Sequence, residues 1–374
     1  MNLSNKKVLI VTNGFLPRSE TFVRAHIQHL SGTKFVLHEA WVPRVDNAWP
    51  HPYAYIDLPY RIFQHWRGGI PTSSWYNKHI FNEIRRVKPD VVFIEYGTTA
   101  GMIVDALEQC RLPYIVHFHG HDASVDLVLK RYADRYRRLA SSAAAVIAVS
   151  RSMQDNLIKS GFLKEKVHYC PCGVEASKFE TQANPHQAAP LFLTTGRFVD
   201  KKAPYLSLLA FSKVLRNFPE AKLIMIGDGP LKKICQELAF NVLKVGDSVQ
   251  FMGTVAHSIV VEHLYKIRGF VQHSIQAPSG NCEGTPVAVM EAMMAGLPVV
   301  ATRHAGIADI IEHKKTGFLV EEGDIAEMAR WMCHLIKNPF DAAEVGKEAR
   351  KAAMKEHCMI NRIRELESII YGAM

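Results

Sequence analysis

Two glutamates eight positions apart, Glu283 and Glu291, flank a Gly-Thr-Pro turn in the stretch EGTPVAVMEAMMAG. A carboxylate pair cleaves glycosidic bonds when its members face each other across a sugar, roughly 5–10 Å apart. Here Thr285 is the expected N-cap and Pro286 suits the first helical position, so a helix is expected from there to about Ala295, stopped by Gly296. Glu283 then lies in the loop ahead of the helix and Glu291 more than a turn inside it, so the carboxylates project to different places. The unpaired amides between them, near Thr285, Pro286 and Val287, form a site for a phosphate or similar anion. The spacing alone fits equally well a capped helix carrying one partly buried glutamate.

A second cluster follows the strand expected over 191–195, where TTGRFVDKKAP gathers Arg197, Lys201 and Lys202 in one short loop. A guanidinium fork plus an ammonium point charge fits a diphosphate; a solvated basic loop is the alternative. A third is PYIVHFHGHDAS, in which His117, His119 and His121 alternate beside Asp122. Histidines at period two could hold a metal, but Gly120 ends the strand and no further ligand cluster accompanies them, so no metal is expected. One histidine facing a ligand hydroxyl is the preferred reading, and ordinary strand-end histidines are the other. Cys282 adjoins Glu283 without an obvious base beside it, so a cysteine nucleophile is disfavoured.

These residues need elements to hold them. Short apolar runs such as KKVLIVTNGF, PDVVFIEYG, PYIVHFHG and AAAVIAVS alternate with helical segments, and after the polar stretch 177–190, read as a linker, the pattern restarts with LFLTTGR, AKLIMIGDG, VQFMG, GFVQHS and LPVVAT. Such alternation predicts parallel sheets covered on both faces. The expected fold class is α/β: two Rossmann-like doubly wound domains facing across a cleft, with ligands outside the carboxyl ends of the strands. The expected boundaries are 1–180, 181–355 and a C-terminal helix at 356–374 crossing back to the first domain. No G-x-G-x-x-G follows the first strand, which disfavours a nicotinamide or flavin enzyme. Seven cysteines without a C-x-x-C pair imply reduced thiols. No apolar run reaches the roughly 20 residues of a membrane span and no signal peptide is evident, so a cytoplasmic location is expected.

At these residues the sequence resembles the retaining nucleotide-sugar glycosyltransferases of family 4, with the GT-B fold and a Glu-x7-Glu motif. The resemblance runs through TNGFLP, HGHD, CGVEASKF, GRFVDKKAP, GDGPL, FMGTV and EGTPVAVMEAMMAGLPVVATRHAGIADII. It implies that Arg197 and Lys202 hold the donor diphosphate, that Glu283 contacts the donor sugar, and that Gly284, Thr285, Pro286 and Val287 help hold sugar and phosphates. Glu291 would take the ribose hydroxyls, Val255 the base, and His119 a place near the sugar's C6 hydroxyl and the reacting centre. Gly14 would let the first loop approach the phosphates. Transfer would retain anomeric configuration without an enzyme nucleophile, the donor would be a nucleotide sugar, most readily a UDP-sugar, and no further cofactor would be needed. Ala203 stands where a glycine is common after the lysine.

FLPRSETFVR resembles the first loop of members that build bacterial surface polysaccharides, which implies that Ser19, Glu20 and Thr21 face a saccharide or lipid-linked acceptor. A small soluble acceptor, or a non-catalytic nucleotide-sugar-binding module, are the alternatives. Residues 1–180 hold 23 Lys and Arg against 16 Asp and Glu, and the remainder 22 against 20, so the first part carries +7 of the net +9. Within it KRYADRYRRLASS reads as a basic helix suited to peripheral contact with an anionic membrane, or as a solvated face. No recognition motif supports nucleic acid as a partner.

Overall fold

The computed structural model describes residues 3–13, 21–39, 44–45 and 58–374. The chain divides into two compact units, Met1–Cys172 with Ile360–Met374, and Gly173–Met359. The first sheet contains β1 (Lys7–Asn13), β2 (Thr33–Glu39), β3 (Arg44–Val45), β4 (Val91–Glu95), β5 (Tyr114–Phe118), β6 (Ala145–Ala148) and β7 (Val167–Tyr169), in the order β3-β2-β1-β4-β5-β6-β7. Only β3 runs antiparallel among the described strands. The second contains β8 (Leu191–Thr195), β9 (Lys222–Ile226), β10 (Val249–Gly253), β11 (Gly269–Gln272), β12 (Val299–Thr302) and β13 (Phe318–Val320), all parallel, in the order β10-β9-β8-β11-β12-β13.

Both are doubly wound α/β sheets, as expected. Their strands are continuous apolar runs because helices cover both faces: Val8 to Val11 in β1 are wholly buried, and Phe192, Phe211, Val271, Val300 and Phe318 share the second unit's core. Each order reverses beside its first strand, between β1 and β4 and between β8 and β11. At such a switch point the flanking connections leave in opposite directions and open a crevice beyond the strand ends. The residues singled out for chemistry follow these ends.

The stretch 177–190 is no free tether. Phe179 is fully buried, the Ala183 N–H donates to the Ala295 carbonyl at 2.7 Å, and the Arg350 guanidinium donates to the Phe179 carbonyl at 2.7 Å. The helix Met359–Gly372 contributes to the first unit, where Glu367 accepts the Ser31 N–H at 2.6 Å.

Candidate active site

In the second unit, β8 ends in Gly196 at φ 151°, a conformation open to glycine, and the chain turns through Arg197 and Phe198. The GDGP loop after β9 braces that turn. The Phe198 N–H donates to the Asp228 carbonyl at 2.9 Å and the Leu231 N–H to the Phe198 carbonyl at 3.0 Å. A Cβ on Gly227 would lie 1.9 Å from the Gly196 carbonyl oxygen, so the two loops touch through bare backbone.

The Lys202 stem crosses beside Gly196, and its ammonium reaches Glu283 Oε1 at 3.2 Å, with both side chains largely buried. Lys201 donates to the Cys282 carbonyl at 3.0 Å and so ties the basic loop to the Glu283 loop. Arg197 is exposed and makes no ion pair among the described residues. A pocket lined by Thr195, Gly196, Arg197, Lys202 and Gln272 opens here, and the buried Gln272 Oε1 has no hydrogen-bond partner among the described residues. Burial drives the Lys202 ammonium below its ordinary range, against Glu283, which favours the charge. Burial would raise the Glu283 carboxyl, but Lys202 and Lys201 hold it below its ordinary value. Cations outnumber the carboxylate around this pair, with Lys201 and Arg197 close by.

Glu283 is fixed from behind. Its N–H donates to His304 Nε2 at 3.1 Å, and the His304 Nδ1–H donates to Glu322 Oε1 at 2.5 Å, which sets the imidazole tautomer. The following helix spans Val287–Ala295, and Gly296 at φ 87° closes it as expected. Its start differs from expectation: Pro286, not Thr285, occupies the cap, with no side-chain capping bond. The Val287 N–H folds back onto the Thr285 carbonyl at 3.0 Å, and Pro286 has none to give. The Gly284 N–H is left without an intramolecular partner among the described residues. One turn on, Glu291 Oε1 meets His257 Nε2 at 2.8 Å, and this contact raises the His257 pKa against burial. Val255, half-buried, lies two residues before that histidine.

The first unit builds a different cluster at its own switch point. Glu95, the last residue of β4, is wholly buried; Oε1 accepts from His26 Nδ1 at 2.7 Å and Oε2 from His119 Nε2 at 2.6 Å, while His117 Nδ1 lies 3.5 Å from Oε2. Burial would raise the Glu95 carboxyl, but His26, the nearby His117 and the hydrogen bond from His119 hold it well below its ordinary value. Burial pushes His117 down to about 3, helped by the neighbouring His119. For His119 burial is outweighed by hydrogen bonds to Cys172 and Glu95, and its pKa rises. Atoms of His26, Glu95 and His117 lie within 4.8 Å of one another, and the 2.6 and 2.7 Å contacts have charge-assisted hydrogen-bond lengths. Asp122 locks the strand-end loop by accepting the N–H groups of His119, Gly120 and Gly97, each within 3.0 Å.

Two family models divide the chain between them: Glycosyltransferase Family 4 over residues 20–178 and Glycosyl transferases group 1 over residues 176–352. The chain belongs to the group 1 glycosyltransferases. Among its relatives, the amylovoran biosynthesis glycosyltransferase AmsK of Erwinia amylovora is 29% identical over 75% of this chain and 70% of its own. The putative colanic acid biosynthesis glycosyltransferase WcaL of Escherichia coli is 28% identical over the same shares. The crystal structure of Anabaena HepE in complex with UDP superimposes with a TM-score of 0.74 at 16% identity, over 98% of this chain and 100% of that one. That likeness concerns the GT-B fold.

In this glycosyltransferase Arg197, Lys202, Glu283, Gly284, Thr285, Pro286 and Val287 share one switch-point region, and Glu291 stands apart with His257. His119 lies in the other unit with His117, while His121 is exposed at the start of the helix His121–Ser124 and takes no part in the Glu95 cluster. Thr21 opens the helix Thr21–His29 and is exposed; Gly14, Ser19 and Glu20 lie outside the described residues. Sequence reasoning missed Glu95, His26, His257 and His304. Glu95 had a readable signal, a lone charge closing the apolar run VVFIE.

Proposed function

We propose that this glycosyltransferase moves a hexose from a nucleotide sugar, a UDP-sugar first, to a hydroxyl of a saccharide or lipid-linked saccharide, with retention, in the synthesis of a bacterial surface polysaccharide. The observation that carries the reading is the Lys202–Glu283 pair at the β8/β11 switch point with the unpaired Arg197 beside it. A diphosphate set against Lys202 and Arg197 has its growing negative charge met as the sugar–phosphate bond breaks. Glu283, held by His304, meets hydroxyls of the sugar, and the Gly284 amide adds a donor. Glu291 takes the ribose hydroxyls, with Val255 against the base. Retention follows from attack on the face the diphosphate leaves, which needs no carboxylate nucleophile at the anomeric carbon. The family resemblance, rather than a distance, assigns His119 to the sugar's C6 hydroxyl.

UDP in the HepE complex supports the choice of base, and AmsK and WcaL support the polysaccharide setting. No metal or cofactor enters this reading, because the chain supplies the cations. No helix among the described residues is long and apolar enough to cross a membrane; we place the enzyme in the cytoplasm, peripheral to the membrane that carries its acceptor. The test is a thermal-shift panel of nucleoside diphosphates followed by NMR of the product's anomeric proton. UDP should raise the melting temperature most and the linkage should match the donor's configuration; stabilisation by no nucleoside diphosphate would overturn the reading.

A further inference from the structure

The helix Leu58–Trp66 has its polarity reversed. Its one fully buried side chain is Arg61, whose Nε donates to the Pro71 carbonyl at 2.9 Å and whose guanidinium stacks 3.8 Å from the centroid of the Tyr76 ring. The apolar residues face outward: Tyr60, Ile62 and Phe63 are each about half exposed and Trp66 is 86% exposed. A helix stabilised only by packing would bury the aromatics and leave the arginine in water. The arginine is instead satisfied inside, and four large apolar side chains stand on one short element.

The surroundings carry an excess of positive charge. Residues 58–88 hold six Lys and Arg against one acidic residue, Glu83. Arg67 follows Trp66 directly, its guanidinium 5.5 Å from the Phe63 ring centroid. A Cβ on Gly68 would lie 3.6 Å from an Arg131 nitrogen, so the amino-terminal part of the helix Asp126–Ser142 adjoins this end. Farther along that basic helix the cations are already engaged, Arg135 with Asp105 and Arg138 with Asp105 and Glu108. Lys130, Arg131 and Arg67 make no ion pair with any described residue.

We infer that Tyr60, Ile62, Phe63 and Trp66, flanked at the Gly68 end by Arg67, Lys130 and Arg131, form a docking surface that inserts into the interface of an anionic lipid bilayer. Aromatic and aliphatic side chains suit the boundary between headgroup and acyl chain, and the flanking cations suit acidic headgroups. Three cations without ion pairs among the described residues, beside an exposed aromatic cluster, favour an acidic lipid surface over a neutral protein face. The inference rests on the reading of a membrane-borne acceptor and names the element that makes the contact.

The test is co-flotation of the full chain with vesicles of phosphatidylcholine alone and of phosphatidylcholine mixed with phosphatidylglycerol. Binding is expected to the mixed vesicles, with a blue shift of Trp66 emission that the Trp66→Phe variant lacks. Each of Arg67→Ala, Lys130→Ala and Arg131→Ala should lower the partition coefficient about fivefold, the equivalent of about 1 kcal/mol per cation near the surface. The Ile62→Ser, Phe63→Ser, Trp66→Ser variant should stay in the soluble fraction. All these sites are exposed or peripheral, so melting temperature and its rise with UDP should stay as in the parent chain. Absence of wild-type binding to mixed vesicles would overturn the inference, as would unchanged binding of the triple variant. A wild-type dimer that the triple variant abolishes would assign the face to a second copy instead. Failure of the acceptor reading is distinguishable: vesicle binding would persist while sugar transfer to a lipid-linked acceptor in detergent would be absent.

Discussion

The two switch points hold similar residue types in opposite states of satisfaction. At β4 in the first unit, Glu95 is wholly enclosed and its two oxygens are bonded to His26 and His119. At β8 and β11 in the second, Glu283 pairs with Lys202, and among the described residues Arg197 has no partner of opposite sign and the buried Gln272 Oε1 no hydrogen-bond partner. A buried carboxylate with its donors in place serves folding first, although the His119 it holds is itself proposed to meet the sugar; cations left over at a strand end serve a ligand. The difference separates residues whose loss should unfold a unit from those whose loss should silence a reaction.

The comparison predicts where damage appears. Glu95→Gln replaces a buried charge by a neutral amide facing two imidazoles, and should destabilise the first unit by about 3–5 kcal/mol, visible as an earlier calorimetric transition. Nucleoside diphosphate binding in the second unit should survive wherever the protein remains folded. Lys202→Ala should do the reverse: transfer falls about 10²–10³-fold, as for loss of one preorganised charge stabiliser, with a smaller change in melting temperature. Equal thermal losses in the two variants would remove the distinction.

Acid should act on both units. His117 is held at about 3 and His273 at about 4 by burial, so both stay neutral in the fold yet charge in the unfolded chain below about 6.5. The unfolded state then binds more protons, and stability falls as pH drops from about 6.5 toward those values. His119 has the opposite sign: its raised pKa adds stability that is complete below about 6.5 and fades as pH rises through the folded value. Both units therefore have stability to lose on each side of neutrality, the first through His117 and His119 and the second through His273 and His257, which calorimetry across pH would resolve.

Smaller effects probe the site's edges. Glu291→Ala should weaken nucleoside diphosphate binding by about 1.5–3 kcal/mol, the range for a hydrogen bond involving a charged group, measured by titration calorimetry. Ala203→Gly should change stability by less than about 1 kcal/mol. Ala203 sits at φ 34°, ψ 52°, a left-handed conformation that strains any side chain, but its buried methyl makes contacts a glycine would lose. The glycine common at this position in the resembling family has a physical reason here.

The doubly wound architecture was legible because β1, β4, β5, β6, β8, β9, β11 and β12 are apolar runs bounded by turns. Strands β2 and β13 escaped, since TKFVLHE has only three consecutive apolar residues between polar ends and FLV is too short to carry a period. Glu283 and Lys202 were legible as charge types at strand ends. Their supports were not: His304 meets Glu283 across 21 positions and His257 meets Glu291 across 34, and no local pattern encodes such pairings. The expected Thr285 cap failed because Pro286 and the tight turn at Val287 shift the helix start by one residue.

The hydrogen bond from the Ser31 amide to Glu367 spans 336 positions and joins the first unit to a helix that follows the entire second unit in the chain. During vectorial synthesis the second unit therefore leaves the ribosome whole while the first still lacks a piece, so the first is completed last. Its edge at Ser31 stays unsealed until then.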